Sequence, residues 1–324
     1  MTSNSDEFSL TKPKFDLSTY SGRLQHFLRM TNPLACLNST ADIRAAEEAI
    51  NQYRDNGTMS GSTDDMWRFQ NVVNQAVHPA TNSIVPTPFR MSGIPVFNIP
   101  IIYLQLITPS ANVFGTLAMH VVNQSYNMAC NYFNRSGVGV PIQAMGTAYA
   151  LAVTSACSIA YGMGKLVEKV PKLRRFSIWI PIVATAMASS SNLALTRLDE
   201  IRSGSELVDS DGNNYGKSVI AGKRGVFQTA ATRCLMIPCA VLLLPDMMMK
   251  ALKKRALMPK SMPMATLVQC GIIFVCMAGA LPATLAVFPQ TIEYNVAMLE
   301  PQFQHLTHKT TGKPILKLYS QKGL

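Results

Sequence analysis

Nine polar side chains recur along an otherwise apolar stretch: Gln105, Thr108, Asn112, Thr116, His120, Asn123, Asn127, Asn131 and Asn134. Their steps of 3, 4, 4, 4, 3, 4, 4 and 3 average about 3.6 residues, which keeps them on one face of an α-helix. A carboxamide donates and accepts at once, so a row of them can meet a carboxylate, an ammonium or a hydroxyl in turn. The chemistry this suggests is solvation of a small polar solute. The alternative is interhelical hydrogen bonding, a common use of Asn and Thr between membrane helices. Arg233 falls inside another apolar stretch, roughly a dozen ångströms from its start at about 1.5 Å per residue. A cation there is costly and marks a function or a specific partner. Its guanidinium could grip a carboxylate through paired hydrogen bonds, or else snorkel to the interface or cap helix carbonyls. A shorter row, Thr185, Ser189, Asn192 and Thr196, repeats the helical spacing and could face the first across a shared cavity.

The candidate path residues are therefore Asn112, His120, Asn123, Gln124, Asn127, Asn131, Asn192 and Arg233. What is missing narrows the chemistry. Within the apolar stretches the only acid is Asp246, near an end, so facilitated movement of a neutral solute is expected over ion-coupled pumping. A citrate-like trianion would need more buried cations than Arg233. No nucleophile, base and orienting group fall at readable spacing, which argues against an enzyme. Seven cysteines form no CxxC pair or metal-ligand spacing, and no metal or cofactor is expected. Asp209-Ser-Asp-Gly212 loosely suggests a calcium loop, but glycine follows the second aspartate directly, so a hairpin turn is the better reading.

The elements that must position these residues follow from composition. Of 324 residues 48% are hydrophobic and 15% charged, whereas soluble domains carry about 25% charged residues. Five stretches, at 99–122, 142–162, 176–196, 226–249 and 264–288, are long enough to cross a bilayer. The expected fold is all-α and polytopic: a polar N-terminal region (1–98), a five-helix transmembrane domain (99–289) and a C-terminal tail (290–324). In the N-terminal region, Ser39–Asp42 and Ser62–Asp65 have capping-box spacing and predict two short helices, closed by Asn56-Gly57 and by Pro79. Trp67 is read as packing between them.

Net charge is +11, but the excess is localised. Loops 163–175 and 250–262 each hold five basic residues, while 123–141 holds only Arg135 and 197–225 balances five against five. That is a topological pattern rather than a nucleic-acid footprint. With five spans it places the N-terminus with the basic loops inside and the C-terminal tail outside.

Asn123-Gln-Ser-Tyr-Asn127 and Asn131-Tyr-Phe-Asn-Arg135 resemble the sideroflexin family. So do Gly22-Arg23 through Thr31-Asn32-Pro33, His78-Pro79, Pro88-Phe-Arg-Met91, Asn192 with Arg197, Asp211-Gly-Asn with Gly216, and Arg233. Phe288-Pro-Gln290, Leu299-Glu-Pro301 and Lys322-Gly-Leu324 extend the likeness to the end of the chain. The resemblance implies a mitochondrial inner-membrane protein of about five spans, for which the charge pattern puts the N-terminus in the matrix and the C-terminus in the intermembrane space. It also implies transport of small neutral amino acids, serine above all, for one-carbon metabolism. The resemblance makes His78, Pro79 and Thr81 gating candidates. The chain departs from the family where His-Pro-Asp-Thr-Gly-Glu reads His78-Pro-Ala-Thr-Asn-Ser83, where Asn-x-Pro reads Asn192-Leu-Ala194, and where a usual glutamine is His120. Some divergent sideroflexins are linked to respiratory-complex assembly, so a non-transporting inner-membrane scaffold with protein partners is the alternative.

Overall fold

The computed structural model describes residues 8–10, 12–78, 81–109, 112–134, 142–308 and 312–322. Pro79, Ala80, Arg135, Gly323 and Leu324 lie outside them.

The N-terminal region folds as its caps dictate. Helices α1 (Tyr20–Met30), α2 (Thr40–Asn56) and α3 (Thr63–Ala76) open it. Both capping boxes are formed, and Gly57, at φ +68°, ends α2 in the left-handed conformation that glycine adopts without strain. Trp67 is buried among Phe8, Ile50 and Met66, as interhelix packing requires. The chain then makes a tight turn at 77–84, a single turn of helix α4 (Ile94–Phe97), and α5 (Ile99–Ile107).

The expected single helix across 99–122 does not form. Helix α5 stops at Thr108, whose hydroxyl bonds back to the Leu104 carbonyl, and α6 (Val113–Phe133) starts anew from Asn112. Pro109 cannot donate to a continuing helix, and Asn112 caps the new one by accepting from the Gly115 amide at 3.0 Å. Gly115 leaves room for this cap, since a Cβ would lie 2.6 Å from the Asn112 side-chain nitrogen and displace it. The two helices run in opposite senses. At the far end of α6, Tyr126 donates to the Pro88 carbonyl (2.9 Å) and Asn134 to that of Phe89 (2.6 Å), just before α4 departs. The polar row is thus folded into a hairpin rather than drawn out over about 44 Å, the length of a straight helix through 105–134.

Helices α7 (Ile142–Lys169) and α8 (Trp179–Thr196) pack on α6, with Ala152, Ala156 and Ala188 letting α7 and α8 approach closely. After α9 (Leu198–Ser203) and a hairpin of β1 (Ser205–Val208) and β2 (Asn214–Ser218), the chain re-enters the bundle through α10 (Val219–Ala230). It continues without interruption to α11 (Leu244–Lys254), passing through two wide π-helical segments, Ala231–Met236 and Cys239–Leu243. Pro238 and Pro245 account for the widening, because a proline ring clashes with the carbonyl four residues before it. Helix α12 (Met262–Leu285) returns, and the tail supplies β3 (Thr291–Asn295) and β4 (Lys317–Gln321).

Among the described residues three helices are long and apolar enough to cross a membrane: Met145–Lys169, Val219–Lys254 and Met262–Leu285. They correspond to the second, fourth and fifth expected spans. Helix α8 covers the third in 18 residues. The chain is a largely helical, multi-pass membrane protein with a small sheet, so the all-α expectation needs amending. That sheet, of order β2-β1-β4-β3 and antiparallel throughout, joins the tail to the α9–α10 hairpin around Leu207, Tyr294 and Leu318. The N-terminal region meets the same end of the bundle. Arg23, buried in α1, donates to the carbonyls of Ala286 (2.7 Å) and Val287 (3.4 Å), capping the C-terminal end of α12 with a cation. The charge pattern of the sequence sets these two regions on opposite sides of a membrane; the contacts of Arg23 with Ala286 and Val287 join them at one end of the bundle. The short α5 adds a reversal of chain direction inside the first expected span.

Candidate functional site

The folded-back row turns its central members inward. His120, Asn123 and Gln124 are buried in the middle of α6, with Asn127 and Asn131 half-buried below them. Among the described residues His120 Nδ1 and Gln124 Nε2 have no hydrogen-bond partner, nor have Gln105 Nε2 on α5, the Thr116 hydroxyl on α6, the Thr185 hydroxyl on α8 and Gln228 Oε1 on α10. Each such atom costs about 1–3 kcal/mol unless water or a solute meets it. Leu117 packs with Ala160, Ile180 and Ala184, which draws α6, α7 and α8 together beside Thr116 and Thr185.

At the lower end of α6 the row meets the expected cation. Arg233 donates from Nη2 to Asn131 Oδ1 at 2.9 Å. Arg233 lies in the first π-helical segment, and an extra residue per turn swings a side chain by roughly 100° from its α-helical direction. The same segment reaches α8, where Ser190 and Cys234 are within hydrogen-bond distance. Three helices that are far apart in sequence thus converge on one polar spot. A guanidinium fork carries five donors and can serve several acceptors at once, a carboxylate among them.

The candidates do not all belong to this spot. Asn112 is exposed and serves as the α6 cap. Asn192 is half-buried on α8, two residues beyond Ser190, and its carbonyl accepts from Thr196 (2.9 Å). Asn134 is a structural residue that ties α6 to Phe89. His78 is buried in the turn after α3, with its amide on the Ser83 carbonyl (2.9 Å). Exposed Thr81 shares a hydrogen bond with Ser83 at 2.7 Å, so the altered motif closes on itself. Pro79 lies outside the described residues. Gln228 and Tyr126 were not singled out from sequence. Gln228, Thr229, Thr232 and Arg233 are a readable i, i+1, i+4, i+5 polar cluster, and both threonine hydroxyls bond to carbonyls four residues back.

The aspartates of the β1–β2 turn act as a hairpin scaffold. Burial alone would raise the Asp209 carboxyl, but hydrogen bonds from Asn213, the Asp211 amide and Tyr215 outweigh it and hold the group down to about 2. His308 approaches Asp209 (3.3 Å) and Asp211 (3.4 Å). The three could together hold a cation, although protein donors already occupy both Asp209 oxygens.

The family model described as Sideroflexins matches residues 9–324. This chain belongs to the sideroflexin family. It is similar to a sideroflexin of Saccharomyces cerevisiae, 33% identical over 97% of each chain. It is likewise similar to Sideroflexin-5 of Homo sapiens, 33% identical over 95% of this chain and 92% of that one. Sideroflexin-3 of Homo sapiens is 32% identical over 98% of each. No solved structure matches. In this sideroflexin several residues that carried the resemblance have visible structural work. Gly22 lets α1 pass the Asp16 carbonyl, where a Cβ would sit 1.9 Å from the oxygen. Glu300 accepts from the Ser218 hydroxyl (2.6 Å) and the Ile220 amide (3.0 Å), fastening the tail to the start of α10.

Proposed function

We propose that this sideroflexin transports small neutral amino acids, serine-like in size and polarity, across the mitochondrial inner membrane, in support of one-carbon metabolism. The observation that carries the reading is the meeting of Arg233 with Asn131 at the end of a line of buried, unpartnered polar atoms. A zwitterion needs an acceptor-rich surface for its ammonium and a cation for its carboxylate, and amides with one guanidinium supply both. The absence of acids from this line among the described residues favours facilitated movement over ion coupling. The positive-inside rule supports basic loops 163–175 and 250–262 in the matrix, with the N-terminal region and tail together on the other side.

Purified protein in liposomes is expected to take up labelled serine, and Arg233→Leu or Asn127→Leu to lose it. A scaffold in respiratory-complex assembly is the competing reading, favoured by the altered turn at 78–83, whose Thr81–Ser83 bond replaces the family's carboxylates. It predicts a stable protein complex and no flux.

A further inference from the structure

Lys322 is 4% exposed, and its ammonium has no hydrogen bond or ion pair among the described residues. The Phe288 ring lies beside it, 5.6 Å from Nζ to the centroid. An ammonium taken out of water without a counterion is strongly disfavoured. Two further cations lie within its electrostatic reach: Arg23 on α1 and Arg197 at the end of α8. Arg23 is committed to backbone carbonyls, and Arg197 to Glu200 (3.2 Å) and the Lys322 carbonyl. Lys322 and Arg197 line a groove of about 360 Å³ at the end of the bundle, with Glu200, Glu206, Lys217 and Gln321. Counting Arg23, four cations face two carboxylates there, and Glu200 is already engaged. Arg197 also lies within electrostatic reach of Arg233. The three cations Lys322, Arg197 and Arg233 therefore form a track from the groove to the exposed pair of Arg233 and Asn131.

We propose that this groove is a binding site for the carboxylate of a small solute, anchored by the Lys322 ammonium and joined through Arg197 to Arg233. The solute class rests on the transport reading, but binding at the groove is measurable without transport. The charged side chains along the groove suit a dissolved carboxylate better than a lipid chain. Burial, and then Arg197 and Arg23, push the Lys322 amine down to about 8. Anion affinity should then fall as pH rises through that region and the ammonium is lost. Bound anion shifts the loss to higher pH, since it favours the charged form. The other titratable groups lining the groove with Lys322 are Glu200, Glu206 and Lys217.

The test is the melting temperature of the full-length protein in nanodiscs, in buffer free of phosphate and carboxylates. L-serine or acetate at several times its dissociation constant should raise it by about 2 °C, and the rise should fade above pH 8. In Lys322→Met the rise should vanish while the unliganded protein melts no lower than wild type, because an unpaired buried charge has been removed. Lys322→Arg should retain the rise and lose its pH dependence. Arg233→Leu should retain the rise while losing uptake, which separates the groove from the interior path. An undiminished rise in Lys322→Met, no rise in wild type, or a rise with inorganic phosphate but not with acetate or L-serine would overturn the assignment.

Discussion

Arg233 and Asn131 lie 102 residues apart, and their hydrogen bond joins the amide row of α6 to the α10–α11 helix at an exposed position. The types were readable in sequence, since an arginine in an apolar stretch and an amide row both stand out. Their pairing was not, because spacing along one helix says nothing about which helix lies opposite. The unpartnered atoms of the row bear on function through stability. Replacing Gln124 with Leu removes a buried donor that has no partner, so thermal stability should stay level or rise by about 1 kcal/mol while serine uptake drops. A variant destabilised by 2 kcal/mol or more, as judged by denaturation in detergent, would instead make Gln124 a structural bond between helices.

Between elements, periodicity both revealed the row and concealed its break. Thr108, Asn112 and Thr116 keep four-residue steps across the point where α5 ends and α6 begins. The pattern therefore reads as continuous through a reversal of direction. Pro109 and the capping habit of Asn112 were the local signals of that break. The sheet was illegible for a different reason: β4 pairs with a hairpin more than a hundred residues earlier. The capping boxes of α2 and α3, built from contacts three residues apart, were legible in full. The π-helical turns make a separate prediction. Pro238→Ala allows ordinary α-helical turns, which would rotate Arg233 away from Asn131. Uptake should fall several-fold with little loss of thermal stability. Unchanged uptake would show that the wide turn does not aim Arg233.

Across the whole molecule, the N-terminal region, the β1–β2 hairpin and the tail gather at one end of the bundle, and the two basic loops at the other. Hydropathy and charge counting placed the basic loops together but could not register the short helix α5, which runs back along α6 from the end where the N-terminal region lies. Single cysteines at Met59, Ser210 and Lys172 in a cysteine-free background test this in sealed vesicles. The first two should react with an impermeant maleimide from the same side and the third from the other. Met59 labelled with Lys172 would restore the opposite arrangement. The central claim is that the polar interior conducts a small zwitterion past Arg233. Uptake of labelled serine into liposomes holding wild type or Arg233→Leu measures it most directly. The account predicts saturable uptake by wild type and a loss of about tenfold or more in the variant, the worth of one charge-assisted hydrogen bond. Equal uptake by both, or none by correctly folded wild type, would contradict it.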